Sequence, residues 1–577
     1  MNRIAVLVVA FAAARLPAAP PNVVLILTDD QGYGDLGCHG NPILKTPHID
    51  AFAKQSVELT NFYVCPVCTP TRASLLTGRY HLRTGAIDTS FGRALMRSDE
   101  VTLAQLFAAA GYRTGLFGKW HLGDNYPLRP QDRGFQEVLR HHGGGIGQPS
   151  DPPGSSYFKP ILDHNGKLEL FDRYCSDVYT DAAIDFIAAS KGKPFFAYVP
   201  YNCPHAPLQV QEKDVAPYQN LDLSPVVIRS TPETKNKTLS AANVAKLYGM
   251  VANIDANVGR LLAKLAEWNL ARDTIVIFLT DNGPQEARFN ANLRDLKGTA
   301  FDGGIRVPFF VRYPAKLAAG SQLTAPAAHI DLVPTLCTAC GLTLPKDRVI
   351  DGIDLWPYLT GAAKQLPERD LFIQWHRGDA PELGRAYAVR GPRYKLVQPG
   401  GQGNQPLPAD AKPMLFDMTA DPFEKTDLAA DKPDIAAGLR RKYEAWFTDV
   451  TKAGFTPVRI SIGAPQENPV RLTRQDWRGP RSANWTGNGL GHWDVTVVAG
   501  GSYAVTLRFA KTKGPATLRL RLAGESRDAE LPAGAETHTF ASLQMPDGRR
   551  DATLEAWVES GGETIGVLDV EAKRQMR

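Results

Sequence analysis

Three continuous apolar segments constrain the fold of this chain more than any other feature. They are Asn22–Thr28 (NVVLILT), Pro194–Pro200 (PFFAYVP) and Thr274–Thr280 (TIVIFLT). Apolar runs without polar alternation predict strands that are buried on both faces of a parallel sheet. Segments with helical spacing separate them along the chain. The sequence therefore predicts an α/β fold, with a mainly parallel sheet between layers of helices.

Charged and polar side chains directly follow the carboxyl ends of the predicted strands. They are Asp29, Asp30, Lys119, His121, His205, Asp281 and Asn282. Ligands bind outside this edge of an open parallel sheet. We therefore expect these side chains to converge on one site, although they lie far apart in the sequence.

A block with two cysteines follows the first strand and reads CPVCTPTRASLLTGR, residues 65–79. Pro70 favours a helix start, since its missing N–H is not needed there, so Cys68 lies at or just before a helix N-terminus. Such an end attracts anions, and Arg72 lies one turn further on. The block predicts an anion site with a reactive side chain. A plain loop cysteine and a Cys65–Cys68 redox pair are the alternatives.

The pattern Cys68-x-Pro70-x-Arg72, followed by Ala-Ser-Leu-Leu-Thr-Gly-Arg, resembles the signature of the cysteine-type sulfatase family. The resemblance extends from about residue 21 to residue 450 and implies the alkaline phosphatase-like fold. It implies that a formylglycine-generating enzyme oxidises Cys68 to formylglycine. The hydrated aldehyde is then the nucleophile in sulfate ester hydrolysis.

Four oxygen-bearing side chains predict a metal site. The carboxylate and amide oxygens of Asp29, Asp30, Asp281 and Asn282 suit a hard cation, calcium above magnesium, whereas zinc normally recruits His or Cys. The resemblance implies one calcium ion, held by these four residues and by the residue derived from Cys68. Taken alone, the Asp29-Asp30 pair is equally compatible with a turn after a strand.

The resemblance also implies roles for the basic residues. Lys119 contacts the hydrated aldehyde and a sulfate oxygen, and Lys297 clamps the sulfate. His121 removes a proton from the hydrate so that sulfate leaves, and His205 protonates the departing alcohol. Arg72 stabilises the nucleophile. A histidine suits proton transfer near neutral pH because its unperturbed pKa lies close to neutrality.

Other positions near these motifs are less typical of the family. Asp302 stands where the pattern often has glutamate, so the resemblance does not define the groups that support Lys297. His141 and His142, in a Gly-rich loop, are candidates for the substrate mouth. Segments 140–160 and 211–238 are expected to carry substrate specificity.

The chain divides into four expected segments. Residues 1–19 have a basic start and a short apolar run, which predicts a signal peptide that is too short to span a bilayer. Residues 20–365 form the catalytic α/β domain. Residues 366–456 form a small α+β subdomain that contains Asp421-Pro-Phe-Glu424, a turn that resembles one in the family. Alternating segments and Gly-rich turns in residues 457–577 predict an antiparallel β-sandwich.

The predicted sandwich holds none of the candidate catalytic residues. We therefore expect it to be ancillary, so that a chain truncated near Pro457 keeps its turnover of a small aryl sulfate. Its tryptophans Trp477, Trp485 and Trp493 form either part of its core, the commoner use, or a sugar-stacking face.

Composition restricts the partners and the location. The net charge is +5, and 5 − 2 = +3 without Arg3 and Arg15, which gives no argument for nucleic acid. The odd count of seven cysteines fits one thiol with a separate fate. Cys337-x-x-Cys340 is better explained by buried thiols on a helix than by half of a zinc site. No transmembrane segment is predicted, and the signal peptide implies a periplasmic or secreted protein.

These features together predict an exported, calcium-dependent sulfuric ester hydrolase that acts on a sulfated small molecule or, preferably, a sulfated glycan. One alternative is a phosphodiesterase or phosphonate hydrolase of the same fold. The other is a glycan-binding protein without activity, in which Cys68 stays unmodified.

Overall fold

The computed structural model describes residues 20–228 and 237–575. The expected signal peptide and part of the 211–238 segment lie outside these ranges. In the described residues, the largest sheet has ten strands. In spatial order they are Gln322–Leu323, Val57–Leu59, Phe309–Arg312, Thr274–Thr280, Asn22–Thr28, Phe195–Pro200, Arg113–Phe117, Glu137–Arg140, Ile161–His164 and Lys167–Leu170. The five strands from Thr274–Thr280 to Glu137–Arg140 are parallel, so the predicted fold class is confirmed.

The first strand explains why helices cover both faces of this sheet. Successive side chains of a strand point to opposite faces. Val23, Leu25 and Leu27 enter one apolar core, while Val24 and Ile26 enter the other. Helices Cys68–Thr77, Leu103–Ala109 and Leu332–Cys340 cover the first core, and helices Pro47–Lys54, Cys175–Ala189 and Ala241–Glu267 cover the second. Shorter helices span His81–Thr84, Glu212–Gln219, Asp302–Ile305 and Trp356–Leu359.

Two predicted elements differ from the structure. The helical spacing of Ile49, Phe52 and Ala53 predicts one helix over residues 46–59, but the helix ends at Lys54, and Val57–Leu59 forms a strand instead. The apolar segment Arg306–Arg312 predicts a single strand, but the strand is divided at Pro308, which has no N–H for a ladder bond. Its second part runs antiparallel to the strand Thr274–Thr280. Its first part belongs to a small sheet with Phe62–Tyr63 and Ala327–Ala328.

A four-stranded antiparallel sheet follows the large sheet in the sequence. Its strands are Leu371–Gln374, Tyr387–Arg390, Tyr394–Gln398 and Met414–Asp417. Helix Pro433–Thr451 packs on it through Tyr443, whose ring stacks on Tyr387 with 3.7 Å between the ring centroids.

The remaining strands form two facing sheets around one apolar core. One sheet contains Ile460–Ile462, Arg478–Arg481, Leu490–Val497, Ala516–Leu522, Glu525–Leu531, Arg550–Ser560 and Glu563–Gly566, and the other contains Val470–Thr473, Gly501–Arg508, Thr537–Met545 and Asp569–Arg574. We call this unit the sandwich. Leu95 and Leu128, which belong to the α/β part, are buried in the same core. The sandwich is therefore joined to the α/β part by apolar packing.

Two further expectations concern the state of the cysteines and the presence of a membrane-spanning helix. All seven cysteines are free thiols, and Cys337 and Cys340 are buried in the core beneath helix Leu332–Cys340, as the sequence indicated. Among the helices in residues 20–228 and 237–575, none combines the length and the apolarity that a membrane crossing requires.

Candidate active site

The candidate residues meet at the carboxyl edge of the parallel strands. Asp29 and Asp30 follow the strand Asn22–Thr28, whose last residue lies opposite Thr280 of the neighbouring strand. Asp281 and Asn282 follow that neighbour. Asp30 has a φ of 62°, a left-handed conformation that aspartate tolerates. Its backbone N–H donates to Asp281 Oδ1 at 3.3 Å. The two strand ends are thus linked directly.

Helix Cys68–Thr77 begins at Cys68 and directs this residue into the acidic cluster. Cys68 Sγ lies 3.4 Å from Asp29 Oδ1 and 3.4 Å from Lys297 Nζ. One ligand atom from each of Asp29, Asp30, Cys68 and Asp281 lies within 4.8 Å of all the others. Such a group of buried carboxylates is costly unless cations neutralise it.

Two buried oxygen atoms in this cluster lack a hydrogen-bond partner, namely Asp30 Oδ2 and Asn282 Oδ1. The Asn282 amide nitrogen donates to Asp30 Oδ1 and to the carbonyl oxygen of Gly283, both at 2.8 Å, which orients its oxygen away from them. Orphaned buried acceptors beside carboxylates are the donor set that calcium prefers. The residues present therefore fit a hard cation.

Three basic side chains surround the carboxylates. Arg72 donates to Asp281 Oδ2 at 2.8 Å and to the carbonyl oxygen of Lys119 at 3.0 Å. Lys119 Nζ lies 2.6 Å from Asp29 Oδ2, and Lys297 Nζ donates to Asp30. Three cations thus face three carboxylates, so a divalent ion would make the cluster net positive and attractive to an anion.

The buried environment changes the protonation of the cluster. Burial raises the pKa of the Cys68 thiol, although Lys119 and Lys297 oppose this. A neutral thiol is a weak nucleophile. Burial, together with the negative charge of Asp29, raises the pKa of Asp281 to about 6. The unmodified Cys68 is consequently a poor candidate for the attacking group.

The hydrogen bonds of His121 define its tautomer. His121 Nε2 lies 2.8 Å from the carbonyl oxygen of Thr89, which can only accept, so Nε2 carries the proton. Nδ1 is buried without a hydrogen-bond partner. Burial, assisted by Lys119, lowers the pKa of His121 well below its usual value. His121 is therefore neutral, with an unprotonated nitrogen that can accept a proton.

His205 is held in the opposite tautomer. Its Nδ1 donates to the carbonyl oxygen of Ala206 at 2.6 Å, and its Nε2 lies 3.7 Å from Asp30 Oδ2. Burial, only partly offset by Asp30, lowers the pKa of His205 to about 4. To act as an acid, His205 must first take up a proton at Nε2.

A cavity of about 700 Å³ opens above Cys68. Cys68, His121, His205 and Lys297 lie in its wall, together with Trp375, Arg377 and Trp485. Trp485 belongs to the sandwich. One side chain of the sandwich therefore lines the same cavity, although the sandwich holds none of the candidate catalytic residues.

Residues 88–92, which no sequence motif marks, also join these groups. Asp88 accepts hydrogen bonds from Trp375 Nε1 at 3.3 Å and from Arg377 at 3.1 Å. The carbonyl oxygen of Thr89 receives both His121 Nε2 and, at 3.3 Å, Gln475 Nε2 of the sandwich. No motif in segment 88–92 signals this role, since it depends on contacts with residues more than 280 positions away.

The structure shows which of two predicted histidines and three predicted tryptophans line the cavity. His141 and His142 do not line the cavity; Gly144 and Gln148 of the same loop do, because His142 turns toward Asp163 instead. Trp477 and Trp493 are fully buried in the sandwich core and cannot stack on a ligand. Trp485 alone of the three tryptophans reaches the cavity.

Asp302 has a well-defined set of partners. Lys395 Nζ lies 2.6 Å from Asp302 Oδ1 and 2.7 Å from Glu424 Oε1, and all three side chains are buried. Glu424 also accepts from the backbone N–H of Asp302 at 2.7 Å. The Asp-Pro-Phe-Glu turn thus supports the start of helix Asp302–Ile305. The sequence did not predict this contact, because Asp302 and Glu424 lie 122 positions apart.

Comparisons with known proteins bear on the whole arrangement. Residues 21–342 match the sequence model of the family described as sulfatase, and residues 296–445 match that of the C-terminal region of N-sulphoglucosamine sulphohydrolase. Both matches end before the sandwich.

Individual relatives give the same result. The chain is 31% identical over 485 residues to arylsulfatase A of Bos taurus, across 76% of this chain and 89% of the relative. It is 31% identical over 410 residues to N-acetylgalactosamine-6-sulfatase of Canis lupus familiaris, across 65% and 72%. Among solved structures, Ps i-CgsB in complex with k-i-k-neocarrahexaose has a TM-score of 0.64 and 28% identity, across 76% of this chain and 95% of that one.

Proposed function

This chain belongs to the sulfatase family and is a sulfuric ester hydrolase, and we propose that it acts through a formylglycine made from Cys68 and one calcium ion. The observation that carries the proposal is the cluster of Asp29, Asp30, Cys68 and Asp281 at the start of a helix, with orphaned buried oxygens beside it.

Formylglycine at position 68 resolves a chemical difficulty of the site. The Cys68 thiol is buried, which raises its pKa, and a protonated thiol is a weak nucleophile. A hydrated aldehyde at the same position supplies a hydroxyl between Asp29 and Lys297. Calcium, when held by Asp29, Asp30, Asp281 and Asn282, would neutralise charge on the sulfate oxygens and lower the energy of the transition state.

The two histidines divide the proton transfers. We assign His205 to the leaving alcohol, because the negative charge of a bound sulfate ester opposes the lowering of its pKa and favours the protonated form. We assign His121 to the second step, in which its unprotonated Nδ1 takes a proton from the remaining hydroxyl. The C–O bond to the sulfate would then break, so that sulfate leaves, while the remaining C–O bond would become the aldehyde carbonyl that water hydrates again.

We propose a sulfated glycan as the substrate class. Two relatives with at least 28% identity support this, since one is named for N-acetylgalactosamine 6-sulfate and the other is solved with an oligosaccharide. The expected signal peptide in residues 1–19 would export the chain to where such polymers occur.

Mass spectrometry of the Cys68 peptide tests the nucleophile. Active protein should contain a peptide about 18 Da lighter than encoded, because an aldehyde replaces the thiol. Cys68→Ala should abolish turnover of 4-nitrocatechol sulfate. Fully active protein with an unmodified Cys68 would contradict the mechanism. Equal turnover of an aryl phosphate would favour the phosphodiesterase alternative.

Metal removal tests the second half of the proposal. A chelator should inactivate the enzyme, and calcium should restore activity better than zinc, because every protein ligand other than position 68 is an oxygen. Calcium should also raise the melting temperature, since it binds only the folded site. Restoration by zinc alone would contradict the ligand assignment.

A further inference from the structure

One loop of the sandwich reaches into the catalytic cavity. Residues 482–489 connect strands Arg478–Arg481 and Leu490–Val497. Trp485 lies on this loop and lines the cavity together with Cys68 and His205. It is partly exposed, whereas Trp477 and Trp493 of the same unit are fully buried. An indole with one accessible side in a catalytic cavity is a surface for a ligand.

The loop is held firmly in place. The guanidinium of Arg474, which is 2% exposed, donates to the carbonyl oxygens of Trp485 at 3.1 Å and Gly487 at 3.3 Å. It also donates to Gly566 at 2.6 Å. Trp477 Nε1 donates to the carbonyl oxygen of Ser482 at 2.7 Å. The backbone at Trp485 is consequently fixed before any ligand arrives, which limits the entropy cost of binding.

The catalytic side holds the indole as well. Phe91 packs against Trp485 with 5.7 Å between the ring centroids. The backbone N–H of Phe91 donates to the carbonyl oxygen of Gln475 at 2.7 Å. Trp485 is therefore wedged between its own unit and segment 88–92.

The rest of the cavity combines a second aromatic residue with cations. Trp375 and Arg377 are held by Asp88, and Lys237 and Lys297 also line the cavity. A volume of about 700 Å³ exceeds what a sulfate group needs and lies in the range of sites for larger ligands. Indole faces suit the C–H face of a pyranose ring, and the cations suit its anionic substituents.

From these observations we propose that Trp485 forms a carbohydrate subsite, in which the indole stacks on a pyranose ring of the sulfated glycan while its sulfate ester reaches position 68. The sandwich thereby contributes directly to substrate selection. This inference rests on the proposed sulfatase function. A sulfated sugar fits both kinds of side chain in this cavity, the indoles and the cations. An uncharged apolar ring system would leave the cations without a partner.

Kinetics of three variants test the subsite. Trp485→Ala should lower kcat/KM about tenfold on a tetrasaccharide of 6-sulfated N-acetylgalactosamine or on a sulfated carrageenan hexasaccharide, mainly through KM. Its kcat/KM on 4-nitrocatechol sulfate should fall by a clearly smaller factor, because that substrate does not extend to the subsite. Trp485→Phe should retain most of the glycan activity. Trp557→Ala is the matched control, since Trp557 is also partly exposed in the sandwich but does not line the cavity.

Binding provides a second measurement that is independent of turnover. In the Cys68→Ala background, calorimetry with the same oligosaccharides should show about tenfold weaker binding when Trp485 is alanine. An equal loss of kcat/KM on the glycan and the aryl sulfate would contradict the subsite but not the sulfatase function. So would wild-type enzyme that hydrolyses the aryl sulfate and a steroid sulfate but none of the oligosaccharides. Wild-type enzyme that hydrolyses no sulfate ester would instead contradict the proposed function.

Discussion

At the scale of single residues, the opposite tautomers of His121 and His205 lead to the first prediction. His121→Ala should release one equivalent of alcohol and then stall as an enzyme-bound sulfate ester, because no group removes the last proton. His205→Ala should slow the first step about 100-fold or more with poor leaving groups, and least with 4-nitrophenol, which needs no proton. Rapid-quench measurement of the alcohol burst distinguishes the two variants. Identical losses with good and poor leaving groups in both would refute this division.

Asp476 leads to a prediction about stability. Burial, and secondarily the charge of Asp124, raises the pKa of Asp476 to about 8 in the folded chain. The unfolded value is about 4. Between these values the folded state holds a proton that the unfolded state releases, so stability falls as the pH rises through this window.

Asp476→Asn removes the carboxyl group whose proton is released on unfolding. The free energy of unfolding of the wild type should therefore decrease more steeply between pH 5 and pH 8 than that of the variant, as measured by urea denaturation at several pH values. Asp547→Asn, in an exposed turn of the sandwich, is the control. Parallel profiles for wild type and Asp476→Asn would show that Asp476 is not protonated.

At the scale of elements, segment 88–92 connects the sandwich to His121, the proposed base. Gln475 Nε2 and His121 Nε2 both donate to the carbonyl oxygen of Thr89. Gln475→Met keeps the side-chain length and removes the donor. We expect about a fivefold loss of turnover, the worth of roughly one hydrogen bond.

The Gln475 effect should have a specific kinetic signature if it acts through His121. The slowed step is then the release of sulfate, whose rate constant does not depend on the alcohol that has already left, and an alcohol burst should appear. A loss that grows with leaving-group pKa, or a change in KM alone, would show that Gln475 does not position His121.

At the scale of the whole molecule, the sandwich and the α/β part share a core. Leu128 is 1% exposed and packs into the sandwich cluster. Leu128→Ala should lower the free energy of unfolding by about 2–5 kcal/mol, through lost burial and the cavity that remains. Denaturation followed by tryptophan fluorescence and by enzyme activity should shift together.

Leu168→Ala is the control for Leu128→Ala, since Leu168 is 50% exposed. Separate transitions, with activity retained after the sandwich has unfolded, would support the expectation of an ancillary sandwich. Removal of residues after Pro457 should expose Leu95 and Leu128 and make the chain less stable, and turnover of a small aryl sulfate by the truncated chain tests the ancillary role directly.

The sequence alone determined the sheet and the position of the site. Continuous apolar runs such as Asn22–Thr28 can be buried only between two layers, and parallel strands bring their carboxyl ends to one edge. Asp29, Asp281 and Cys68 therefore converge by local rules, and the helix start at Cys68 followed from Pro70. The end of helix Pro47–Lys54 was missed because Val57–Leu59 pairs with strands that lie about 250 residues further along the chain, Phe309–Arg312 and Gln322–Leu323.

Only the tertiary structure decided which residues complete the cavity. Trp477, Trp485 and Trp493 are chemically identical, yet two fill a core and one lines the cavity. Their fates depend on how the sandwich packs against Leu95 and Leu128, a contact between segments more than 300 residues apart. Local propensity carries no information about such contacts, because their free energy arises only when both surfaces are already folded.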